Sequence, residues 1–190
     1  SPPSPPVIAP AIAALVNDLA VRSPGTELGI AVFDFVTKEY ASSNEDVPHV
    51  SASSPKAIWV AAALDKVGIA EVTPYAKPIF ESSSNSAATS VIELAGPNYI
   101  NDFYAKAGMT KSAFTQWSGQ VATNSPKALG SDNYITAKDG VSFLKGIHDG
   151  VLLDMANNAK LEEWMTWSPR SGFGGWLGTL LPASAQSSMM

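Results

Sequence analysis

The sequence predicts an α+β domain with helices packed on an antiparallel strand hairpin. Three observations lead there. A stretch of apolar alternation near residues 27–40 reads as two strands joined by a turn. Five later segments carry helical apolar spacing and stop at Gly, Pro or polar residues. Hydrophobic residues make up 45% of 190 positions and charged residues 15%, which suits one buried core and excludes a disordered chain.

The elements follow in order. Ser1–Pro10 (SPPSPPVIAP) reads as an extended Pro/Ser-rich linker, leaving residues 11–190 as a single domain. Ala11–Val21 has helical spacing and ends at Ser23-Pro24-Gly25. Glu27–Phe35 is a strand, and Val36–Tyr40 continues after a turn near Asp34–Lys38; Ala41–Pro48 is a polar loop. Ser54–Lys66 is a helix with Pro55 in its first turn, where a missing N–H costs little. Pro74 and Pro78 are expected to break the next segment. Ser86–Ala95 and Asn98–Ala107 are helices that stop at Gly96-Pro97 and Gly108. Residues 110–133 form a long irregular stretch, of the kind that is usually functional. Thr136–His148 starts with a capping-box-like Thr-x-x-Asp, and Asp154–Trp167 is the last helix. The chain then turns glycine-rich, with Gly172–Gly175 read as a turn and Trp176 as packing.

Composition excludes several functions. The net charge is -5, from 12 basic and 17 acidic residues without a basic cluster, which argues against nucleic acid and anionic membranes as partners. The absence of cysteine removes disulfides, thiol nucleophiles and thiolate-bound zinc. Two distant histidines, His49 and His148, do not suggest a metal site, and no metal or organic cofactor is implied. No apolar run approaches the ~18 residues of a membrane span. The chain starts at Ser1 and reads as a mature or trimmed product.

Ser53-Ser54-Pro55-Lys56 carries the chemistry. If Ser53 opens a helix, three residues are nearly one turn, and the Lys56 amine returns beside the Ser53 hydroxyl. A lysine made neutral by burial can accept the serine proton. The helix N-terminus offers an N–H to a developing oxyanion. A plain N-cap serine is the competing reading. A second S-x-x-K, Ser142–Lys145, falls inside a helix and reads as a solvated face. Of the S-x-N strings, Ser42-Ser43-Asn44 reads as turn chemistry, while Ser83-Ser84-Asn85 and Ser131-Asp132-Asn133 depend on context.

Residues Ser83–Gly108 (SSNSAATSVIELAGPNYINDFYAKAG) resemble the second motif region of serine β-lactamases and penicillin-binding proteins. Ser83 and Asn85 fall on the S-D-N motif, Ala87 and Ala88 on its alanine pair, and Gly96-Pro97 on the stop. Gly29–Asp34 is similar to the family's first strand, Ser53 and Lys56 match its first motif, and Tyr134–Asp139 resembles its T-x-x-D helix start. Several features in one order, over roughly residues 11–182, carry the resemblance. It implies a β-lactamase/DD-peptidase-like fold with Ser53 as nucleophile and Lys56 as general base. Ser83 would relay a proton to the leaving nitrogen, and Asn85 would orient substrate and Lys56. The implied partner is a peptidoglycan-like D-alanyl peptide or a β-lactam, in an extracytoplasmic location, secreted or envelope-anchored. By the same order Ser131-Asp132-Asn133 becomes capping and turn residues.

Three departures temper the expectation. Only 30 residues separate Ser53 from Ser83, a compact spacing. No Asp or Glu lies between Asp102 and Asp132, where class A β-lactamases place a deacylating glutamate. The sequence contains no K-T-G, the family's oxyanion-side strand motif, so the domain reads as incomplete at its C-terminus, with the last strands of the sheet missing. The expected activity is therefore weak acyl transfer through a Ser53 acyl-enzyme. The alternative is a catalytically silent binding or scaffold module of the cell envelope. His49 and Trp117 are candidates for the site margin, with packing as the commoner role of each.

Overall fold

The computed structural model describes residues 8–22, 24–25, 27–125 and 130–167. Residues 1–7 of the predicted linker, and the glycine-rich turn and Trp176, lie outside them. Seven helices and three small antiparallel strand pairs make up the described part.

Helix α2 (Lys56–Val67) is the centre of the core. Every residue from Ile58 to Leu64 is buried, so the helix is apolar all round, as a helix enclosed by others must be. Around it pack α3 (Ile69–Ser82), α4 (Asn85–Ala95), α5 (Pro97–Lys106) and α7 (Met155–Met165). The alanines at 61–63 let these neighbours approach closely. Trp59 is fully buried among them, with its Nε1 donating to Tyr104 Oη at 3.2 Å and its ring edge-on to Phe114. Burial of Tyr104 pushes its hydroxyl well above the ordinary tyrosine range.

The α3 segment overturns one expectation, because Pro74 and Pro78 lie inside a continuous helix. They sit four residues apart on its exposed side, so the carbonyls that lose a partner, Ala70 and Pro74, face water. Val72, Ala76 and Ile79 form the opposite, buried stripe, and that burial holds the helix together.

Strands β1 (Ile30–Phe33) and β2 (Tyr40–Ser43) form the predicted hairpin, with α1 (Ile8–Arg22) against β2 and α6 (Ala137–His148) against β1. The second strand begins four residues later than predicted. Asp34 explains the shift: its carboxylate accepts the N–H groups of Val36 and Thr37, and its carbonyl accepts from Lys38. The turn therefore lengthens to Glu39 and takes in Val36–Glu39. Helix α1 also starts earlier than predicted, at Ile8, with Pro10 in its first turn, where no N–H is required.

Strand β3 (His49–Val50) pairs with β6 (Tyr134–Ile135), and β4 (Gln116–Trp117) pairs with β5 (Gln120–Val121). Gly29 lets β3 pass close, since a side chain there would meet Asn44 O and His49 Nε2 at 3.1 and 3.2 Å. His148 ends α6 with its ring 3.8 Å from that of Phe35. The second S-x-x-K lies on this same helix, where Lys145 pairs with Asp149 and faces the Phe33 ring. No described helix is long and apolar enough to cross a membrane.

Candidate active site

Lys56 is the first residue of α2 and is 3% exposed, an unusual position for an ammonium group. Its Nζ makes three hydrogen bonds: to Ser83 O at 2.5 Å, Asn85 Oδ1 at 2.6 Å and Ser83 Oγ at 3.1 Å. Burial pulls its pKa below the ordinary lysine value. A neutral Lys56 would keep two N–H donors for the two shorter contacts, both to obligatory acceptors. Its lone pair would then face the Ser83 hydroxyl, which can donate.

The backbone between α3 and α4 creates this arrangement. Ser83 ends α3 in the left-handed region at φ 54°, ψ 37°. Ser83 N donates to Ile79 O, the single bond of an αL helix stop, and Ser84 N donates to Pro78 O one residue further back. That conformation suits glycine and costs a serine about 1 kcal/mol. In return, both the carbonyl and the hydroxyl of one residue reach Lys56. Ser84 then caps α4 through Ala87 N, and Asn85 begins the helix with its carboxamide oxygen on Lys56.

Ser53 lies on an exposed turn before α2 and does not open the helix itself. Its carbonyl accepts Lys56 N at 3.3 Å, while its hydroxyl is not among the Nζ partners. Ala52, directly before it, is held at φ +46°, another left-handed non-glycine residue beside the cluster. Strained backbone of this kind concentrates at functional sites. Thus Lys56, Ser83 and Asn85 are brought into direct contact, and Ser53 is placed within one turn of Lys56.

The opposite wall comes from the irregular stretch. Its β4–β5 hairpin turns at Ser118 and Gly119, both at positive φ. Trp117 is anchored edge-on against Trp59 and through Nε1 to Thr89 Oγ1 at 3.1 Å, with Lys56 Nζ 5.5 Å from its ring centre. It both packs and lines the cleft. A cavity of about 570 Å³ lies between it and Asn85, Ser86, Thr89 and Ser118. A second, of about 390 Å³, lies on its other side, toward Ser51, Ala52 and Asp132.

Asn133 fixes that wall. Its Oδ1 accepts from Thr115 N and Gln116 N, its Nδ2 donates to Gln116 O, and its carbonyl accepts from Ser51 N. The Thr136 hydroxyl caps α6 by accepting from Asp139 N, as predicted. Asp139 does not return the bond: its buried carboxylate accepts from Lys111 N and ties the start of the stretch to α6. His49 lies beside Gly29 on β3, and nothing places it at the Lys56 cluster. Sequence reasoning missed Asp132, which joins the second cavity although its letters read as a turn. Among the described residues no cluster of His, Asp or Glu could hold a metal ion.

A search of the curated proteins found no match. Among solved structures, the chain is similar to a mutant of the class A β-lactamase of the last common ancestor of Gram-negative bacteria. The TM-score is 0.69 at 19% identity, over 83% of this chain and 70% of that one. It is also similar to a β-lactamase from Sphaerobacter thermophilus (TM-score 0.70, 16% identity, 84% of this chain and 69% of the other). A β-lactamase from Xanthomonas campestris pv. campestris gives a TM-score of 0.70 at 19% identity, over 85% and 72%. At these identities the likeness is one of fold. The family model described as the β-lactamase enzyme family matches residues 76–171, which include Ser83, Asn85 and Trp117. With half of its length matched, the chain belongs to the β-lactamase enzyme family.

Proposed function

We propose that the protein is a serine acyl-transfer hydrolase of weak activity that acts on D-alanyl peptides or β-lactams through a Ser53 acyl-enzyme, outside the cytoplasm. The observation that carries this reading is the buried Lys56 amine, held by Ser83 and Asn85 one turn from Ser53. Neutral Lys56 takes the Ser53 hydroxyl proton as Oγ bonds to the substrate carbonyl carbon. The carbonyl electron pair moves to oxygen and returns as the C–N bond breaks. The leaving nitrogen receives its proton from Ser83 Oγ, which Lys56 Nζ reprotonates. Asn85, with Oδ1 on Lys56, offers its Nδ2 donors to the substrate. Water then cleaves the ester, slowly, since the stretch between Asp102 and Asp132 supplies no carboxylate to activate it.

Intact-protein mass spectrometry after incubation with a penicillin tests the reading. It predicts a mass gain that maps to Ser53 and disappears in Ser53→Ala. No gain at high drug concentration would overturn it.

One observation favours a second reading, a catalytically silent binding or scaffold module. The Ser53 hydroxyl is not among the hydrogen-bond partners of Lys56. Turnover of a chromogenic cephalosporin that is abolished by Ser53→Ala would exclude this second reading.

A further inference from the structure

The cavity on the far side of Trp117 is built from two chain segments. Val50, Ser51 and Ala52 lead into the Ser53 turn, while Gln116, Trp117 and Asp132 close it from the irregular stretch. Among the described residues, Asp132 is the only charged one that lines either cavity, and it has no ion-pair partner among them. No described lysine or arginine lines them. The Lys56 amine, 5.5 Å from the Trp117 ring centre, is committed to Ser83 and Asn85. Ser51 lines the same cavity at 4% exposure, and its hydroxyl is buried without a hydrogen-bond partner. A buried hydroxyl left unsatisfied costs about 1–3 kcal/mol, and a bound group with N–H donors would relieve it. Val50 and the Trp117 ring add apolar wall that suits a methylene stem.

We infer that this cavity is a subsite for an alkylammonium arm of the acyl donor, with Asp132 as the counter-ion and Ser51 as acceptor. The inference deepens the proposed acyl-transfer reading and rests on it for its catalytic consequence. A substrate whose acyl side carries a free primary amine would place that amine beside Asp132 while its carbonyl meets Ser53. An anionic arm would meet the carboxylate and be disfavoured. Asp132 is here a specificity residue, with no part in bond making.

The test uses the full chain and two D-alanyl-D-alanine peptides that differ only in whether a lysyl side-chain amine is free or acetylated. The rate of Ser53 acylation is followed by intact mass at low salt. The free amine is expected to be preferred about 1.5-fold to fivefold, the range of an exposed ion pair. Asp132→Asn should remove that preference and leave the acetylated peptide unchanged, and high salt should shrink it. Equal rates in the wild type, or a preference that survives in Asp132→Asn, would overturn the subsite. The subsite is also read without turnover. n-Butylammonium, but not n-butanol, should shift the amide resonances of Ser51, Gly119 and Asp132, and Asp132→Asn should abolish those shifts. Shifts without any acylation would sink the acyl-transfer reading alone. Acylation without preference or shifts would sink the subsite alone.

Discussion

The two walls of the cleft are held by different physics. The Lys56–Ser83–Asn85 wall stands on α2, α3 and α4, whose apolar faces are buried against one another. The Trp117 wall is a stretch with little regular structure, tied down by carboxamide side chains. Asn101 brackets Phe114 through its N–H and carbonyl, Asn98 accepts from Thr123 N, Asn124 donates to Asn98 O, and Asn133 holds Thr115 and Gln116. Apolar burial sets a helix position through many weak contacts. Amide clamps set a loop through a few directional ones, each of which can be cut alone. The comparison implies a rigid Lys56 wall facing a Trp117 wall that can loosen independently of it.

The largest effect comes from the first wall. Leu64→Ala, at a fully buried position of α2, should cost about 2–5 kcal/mol of global stability. Chemical denaturation followed by far-UV circular dichroism measures it, and the loss should be global. A cost below about 1 kcal/mol would contradict the packing account.

Asn133→Ala should cost less, about 1–3 kcal/mol, by leaving Thr115 N and Gln116 N without their acceptor. Its signature is local: faster hydrogen exchange at 113–121, with α2 and α4 protected as before. If α2 and α4 also lose protection, the two walls are one cooperative unit and the comparison fails.

Ser83→Gly sharpens the contrast between stability and chemistry at one residue. Glycine relieves the left-handed backbone and should raise stability by about 1 kcal/mol. The lost hydroxyl should lower Ser53 acylation about 10²-fold, within the range for a proton-relay group. A variant that is stabilised and fully active would remove Ser83 from the proton path.

The smallest effect is expected far from the cleft. The Tyr40 hydroxyl, then the Ser42 hydroxyl and Lys138, hold the Glu45 carboxyl at about 2. A depressed carboxylate contributes stability above its unfolded value of 4.5 and loses it as pH falls toward about 2. Because these partners are partly exposed, Glu45→Gln should cost less than about 1 kcal/mol at neutral pH. It should also flatten the acid limb of a stability-against-pH curve.

Local signals explain what was legible in the sequence. Gly96-Pro97, Gly108 and the Thr136 cap are punctuation, so α4, α5 and α6 were placed to within a residue or two. The resemblance of Ser83–Gly108 to a known motif region, not spacing, singled out Ser83 and Asn85, and in the structure both touch the Lys56 amine while the Ser53 hydroxyl does not. Non-local or competing effects hid the rest. Pro74 and Pro78 signalled a break, because a solvent-facing proline pair and a buried Val72–Ala76–Ile79 stripe are told apart only once the partner helices are known. The Asp34 side chain lengthened a turn that apolar alternation alone had cut short. Asn101 reads as an ordinary helix residue and Asn133 as a turn residue, and their clamping roles were hidden because their partners lie 13 and 17 or 18 positions away. Asp132 gave no sign of facing the cleft.

The account turns on a lysine whose pKa burial lowers between two helix starts. Nuclear magnetic resonance titration of the lysine side-chain Cε resonances, with Lys56 assigned by its loss in Lys56→Ala, tests this directly. The account predicts that Lys56 titrates below the ordinary value of 10.5 and that Ser53 acylation rises with pH through the same inflection. Lys56 titrating together with the exposed lysines, with acylation indifferent to that transition, would contradict it.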